Sequence, residues 1–135
     1  MDKINIVKEW LDFASKDISC AKYLLDMCPV PLEIICYHCG QAAEKVLKGY
    51  LIQHNIEPNR THDLRLLCKK CANYDKAFAE ISQSCVNLTV YGGQPRYPLE
   101  IEIIESDMQK AIVDADYVMN FTLQKLNATL THGQT

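Results

Sequence analysis

Residues 31–50 read PLEIICYHCGQAAEKVLKGY, and the spacing within them decides the fold class. Ile35, Cys36, Cys39, Ala42, Ala43, Val46, Leu47 and Tyr50 recur at intervals of three and four, which places them along one side of an α-helix. Pro31 suits the first turn of that helix, where a missing N–H costs nothing. The pattern runs to about His54, and residues 55–60, with Pro58, form a short connection.

The same period extends outward in both directions. Ile4, Val7, Leu11, Ala14, Ile18, Ala21 and Leu25 form one stripe, widened by Trp10 and Leu24. This predicts a first helix of about 24 residues, roughly 36 Å long, that stops before Pro29. Downstream, Thr61 is the expected N-cap of a third helix, with Asp63 in its first turn, where the helix dipole favours an anion. Leu64, Leu66, Leu67 and Cys71 continue to Asn73, and Asp75 can cap a further stretch carrying Phe78, Ile81, Cys85, Leu88 and Val90. A last helix is expected from about Leu99 to Leu126, with Ile101, Ile104, Met108, Ala111, Ala115, Val118 and Thr122 on its stripe. No alternation of period two competes with these helices. The predicted fold is all-α, an up-and-down four-helix bundle with the third helix broken into two pieces. Residues 1–128 form its single domain and residues 129–135 a disordered tail.

The chain has 135 residues, 48% hydrophobic and 23% charged, which matches a globular protein of one domain. No stretch approaches the roughly 20 apolar residues of a membrane span, and the N-terminus carries no visible export signal. A cytoplasmic location is therefore expected. The net charge of −3 argues against general adhesion to nucleic acid. Charge is unevenly spread, however. Lys45, Lys48, Arg60, Arg65, Lys69, Lys70 and Lys76 outnumber Glu57, Asp63 and Asp75 in the middle third, while residues 100–116 hold six acids and Lys110. A local anion site in the middle is compatible with this, as are solvated helix faces of opposite sign.

The cysteines number seven, an odd count that points to reduced thiols rather than a disulfide framework. Cys36-x-x-Cys39 and Cys68-x-x-Cys71 could in principle offer four thiolates to zinc. Both pairs fall within helical patterns, lack a Gly-rich knuckle, and have 28 residues between them rather than about 15–20. Core packing is the expected role, and neither a metal nor a cofactor is expected.

Chemistry concentrates in three segments. Gln41, Glu44, Lys45 and Lys48 share one polar face at i, i+3, i+4 and i+7, where two ammonium groups one turn apart can hold a phosphate. The competing reading is a solvated face with a Glu44–Lys48 pair worth a few tenths of a kcal/mol. His62, between Arg60 and Asp63, suits proton transfer near neutral pH or a structural bridge between helices. Arg96 and Tyr97, in a loop between prolines, suit an anion contact; alternatively Tyr97 plugs the end of the bundle and Arg96 pairs with a carboxylate.

Taken together, Gln41-Ala42-Ala43-Glu44-Lys45-Val46-Leu47-Lys48, Arg60-Thr61-His62-Asp63-Leu64, Leu88-Thr89-Val90-Tyr91 and Arg96-Tyr97-Pro98 resemble, in order and approximate spacing, the HEPN family of small bacterial and archaeal helical domains. The resemblance spans roughly residues 5–126. It implies a four- or five-helix bundle, commonly a homodimer, related to the helical domain of nucleotidyltransferases. It also implies a nucleotide- or RNA-binding role, often beside a minimal nucleotidyltransferase in a toxin–antitoxin pair. On this basis Gln41, Glu44, Lys45, Lys48, Arg60, His62, Asp63, Arg96 and Tyr97 are the expected ligand-binding residues. Ribonuclease members use an Arg followed after four to six residues by His. Arg60, Arg65 and Arg96 have no His at that interval; Ile101, Glu102 and Ile103 follow Arg96 there. No catalytic residue is therefore expected. The alternatives are a non-catalytic protein-interaction module and a divergent metal-independent RNase using His62 with Arg60 or Arg96.

Overall fold

A computed structural model describes residues 2–92 and 102–133, with side chains as far as Asn127. Its elements are α1 (Lys3–Tyr23), a 3-10 turn (Leu24–Asp26), α2 (Leu32–Gln53), α3 (Leu64–Tyr74), a 3-10 segment (Lys76–Ile81), α4 (Ser82–Thr89) and α5 (Glu105–Gly133). Among the described residues there is no strand, as the apolar period requires. The piece expected as a broken third helix is α3, the 3-10 segment and α4 in succession. Asp75 makes the break: its carboxylate accepts from the Ala77 N–H and starts the second piece.

The central helix is α2, which packs against α1, α3, α4 and α5. Its apolar band is wholly buried, from Ile35 to Leu51. Burial extends beyond the apolar band to part of the polar face, so Gln41, Glu44 and Lys48 are buried as well. Gly40 lets the end of α4 come close, since a Cβ there would lie 3.3 Å from the Gly92 nitrogen. A Cβ on Gly92 would in turn sit 3.0 Å from the His62 carbonyl oxygen, so this short turn is wedged between α2 and the start of α3.

Several boundaries differ from the expectation, and caps set the helix starts among them. α1 begins at Lys3, capped by Asp2 accepting from the Asn5 N–H, and ends at Tyr23, five residues before Cys28; Ile4 and Leu25, assigned to the buried stripe, are exposed. The N-cap of α3 is Asp63, which accepts from the Arg65 N–H, while the Thr61 hydroxyl accepts from the Asp63 N–H one step earlier. The expected start of the last helix at Leu99 lies outside the described residues, and residues 102–104 are not helical. Asp107 accepts from the Ile104 N–H, the N3 arm of a capping box, and this fixes the start at Glu105 and leaves Ile104 exposed. At its far end α5 continues to Gly133, beyond Leu126, where the apolar stripe ends.

Cys36, Cys39, Cys68, Cys71 and Cys85 are buried in the core, and Cys20 and Cys28 are exposed. Burial pushes the Cys36 and Cys39 thiols up to about 12 and the Cys71 thiol higher still. At one end of the bundle the rings of Tyr50, His54, Tyr74, Phe78 and Phe121 form a continuous cluster, with centroids 4.1 to 6.2 Å apart.

Candidate functional site

The helices α1 and α2 run antiparallel, and the polar face of α2 meets α1 along a surface seam. Asp17 is the first anchor. It occupies the buried stripe of α1, three residues after Ala14 and four before Ala21, and is itself buried. A carboxylate there must be paired. One oxygen faces Nδ1 of His38 at 2.9 Å and the other accepts from the Lys45 ammonium. Glu44 repeats the pattern on the other side. Its side chain is 5% exposed, with one oxygen 2.7 Å from Nδ1 of His62 and the other accepting from Lys48 Nζ at 3.1 Å.

Two aromatic rings join these pairs. Lys48 Nζ lies 5.7 Å from the centroid of Trp10, and Lys45 Nζ lies 5.7 Å from that of Phe13, within reach of a cation–π attraction. Trp10 and Phe13, together with Glu9 and Lys45, line a cavity of about 360 Å³. Further along the seam, beyond Asp17, a second cavity of about 550 Å³ is lined by Ser19, Cys20, Tyr23, Leu24, Ile34 and His38. The result is one chain of contacts: His62, Glu44, Lys48 and Trp10 to one side of the first cavity, Phe13, Lys45, Asp17 and His38 to the other.

Of the residues singled out in the sequence, Glu44, Lys48 and His62 form one cluster and Lys45 belongs to its neighbour. The side chain of Gln41 is buried, and its Nε2 finds no acceptor among the described residues. Asp63 serves α3 instead. Partial burial pushes its carboxyl upward, but hydrogen bonds from the Arg65 side chain and backbone outweigh that and hold it below the usual carboxylate range. Arg60 is exposed and makes no ion pair among the described residues. Arg96 and Tyr97 lie outside the described residues. Glu9, Phe13, Asp17 and His38 were not singled out. Asp17 left a trace in the sequence, as a charge between two buried alanines of the first stripe.

In chemical terms the seam is balanced. Each ammonium is already matched by a carboxylate, so Lys45 and Lys48 do not form a bare cationic pair. An ammonium has three N–H donors, however, and one carboxylate leaves some of them for a ligand. Lys45, with 23% of its side chain exposed against 10% for Lys48, is the better placed of the two. Both histidines meet their carboxylate through Nδ1, which fixes the ring and turns Nε2 away from it.

Fold and sequence together place this helical bundle in a known class. The HEPN domain family model matches residues 7–126, and the chain belongs to that family. Among solved structures it is similar to the crystal structure of ST0689, an archaeal HEPN homologue. The two share 25% identity at a TM-score of 0.68, over 88% of this chain and 96% of that one. No curated protein matches the sequence significantly. Among the described residues no helix is long and apolar enough to cross a membrane.

Proposed function

We propose that this HEPN domain binds a nucleotide or a segment of single-stranded RNA in the cavity between Trp10 and Phe13. The observation that carries the reading is the pair of lysines, each over one of two aromatic rings that line the same cavity. A nucleobase stacks on such rings, with about 1–3 kcal/mol per base. Lys45 then supplies a phosphate contact, and Lys16, whose Nζ is 5.4 Å from the Phe13 centroid, supplies another. Glu44, Lys48, His62 and Asp17 hold the lysines and the helix face in place. The volume of about 360 Å³ lies within the range of small-ligand sites.

Fluorescence anisotropy with a labelled single-stranded hexaribonucleotide tests this. Wild type is expected to bind at micromolar concentrations, with Phe13→Ser weakening binding about fivefold or more and Lys45→Gln reducing its salt dependence. No binding by wild type, or equal binding by all three proteins, removes the reading.

A second reading is favoured by the other end of the seam. Tyr23 and Ile34 are exposed apolar side chains that line the 550 Å³ cavity. They suit a protein-interaction module that restrains a nucleotidyltransferase partner in a toxin–antitoxin pair. Co-purification of a stable complex from which Ile34→Lys is excluded, with no RNA binding by wild type, would select it.

A further inference from the structure

Beside the spare N–H donors of Lys45, the cavity between Trp10 and Phe13 is lined by a carboxylate, an acceptor. Lys45 is engaged with Asp17, whereas Glu9 has no hydrogen bond or ion pair among the described residues. A carboxylate offers two oxygens in one plane, and its best partner is a planar group with two adjacent N–H donors.

Resting on the nucleotide-binding reading above, we propose that the cavity prefers guanine: the base stacks on Trp10 and Phe13, and Glu9 accepts from guanine N1–H and the N2 amine. The other bases lack this pair of donors. Adenine and cytosine place a ring nitrogen with a lone pair beside the single exocyclic amine, which faces the carboxylate with repulsion. Uracil offers one N–H between two carbonyls. Recognition of an unpaired base through this edge is the usual way that proteins read single-stranded RNA. The phosphate remains with Lys45 and Lys16, so donor and acceptor walls address opposite ends of one nucleotide.

The chain carries a single tryptophan, and it lines this cavity. Intrinsic fluorescence therefore reports the site without a label. Titrations of wild type with GMP, IMP, AMP, CMP and UMP, read as half-saturation concentrations rather than amplitudes, give the test. GMP is expected to bind at least fivefold more tightly than AMP, CMP or UMP, with IMP, which keeps N1–H and lacks the amine, in between. Glu9 is exposed, so Glu9→Ala folds, and it is expected to bring GMP and AMP to a common level, weakening GMP and relieving the repulsion on AMP. Equal half-saturation for all five nucleotides overturns the guanine preference and leaves the nucleotide reading standing. Absence of saturation with every nucleotide, together with silent RNA anisotropy, overturns both. Tighter binding of N-acetylarginine amide than of GMP overturns the proposal in favour of a peptide guanidinium.

Discussion

Two groups of aromatic side chains lie along the second half of α2, and they serve opposite purposes. Tyr50, His54, Tyr74, Phe78 and Phe121 face one another, ring against ring, with Phe78 fully buried. Trp10 and Phe13 face ammonium groups, and between them is open space; Phe13 is 53% exposed. The first group has consumed its binding capacity in holding the fold. The second retains it, because a lysine tethered to a carboxylate covers a ring without filling the cavity beside it.

The sharpest break between the two regions comes from deleting one ring in each. Phe78→Ala is expected to cost about 3–5 kcal/mol in urea unfolding, whereas Phe13→Ala costs less than about 1 kcal/mol. Comparable losses would mean that the open pair is structural too. Next in size is Asp17→Ala, which strands Lys45 and His38 on a partly buried face and is expected to cost about 1–3 kcal/mol, with Asp17→Asn in between. A value near zero would show that the seam tolerates unpaired charge.

The smallest effect concerns pH. Burial, reinforced by Lys3 and opposed by Asp75, holds His54 below the ordinary histidine range, and its Nε2 is buried without a partner among the described residues. The imidazole is thus neutral in the fold, while the unfolded chain takes up a proton first as pH falls below about 6.5. Stability should therefore decline from that point down to the depressed folded value and level off beneath it. His54→Phe keeps the ring stack and removes the decline, so matching profiles for variant and wild type between pH 7 and 5 would contradict this account.

How far the sequence could be read follows from what each feature depends on. Burial along α2 and the break at Asp75 are local, set by spacing within one helix or by one side chain and the next two residues, and both were legible. The start of α5 was not, because Asp107 reaches back to Ile104 and overrides an apolar pattern that continues upstream. The site was legible in part. Glu44 and Lys48 lie one turn apart and pair as their spacing predicts, but His62 is 18 residues away and Asp17 is 28 residues from Lys45. Those contacts depend on how helices pack, and spacing within one helix says nothing about that. Phe13 went unnoticed for the same reason, since a ring on the polar side of a helix carries no message until its neighbour across the seam is known.

The five buried thiols give the molecule a built-in gauge of its own integrity. Held away from solvent inside the bundle, they are invisible to alkylating reagents while the helices stay together. Only Cys20 and Cys28 meet such reagents in the intact protein, so the rate at which the remaining sulfurs become modified measures how often the whole chain opens.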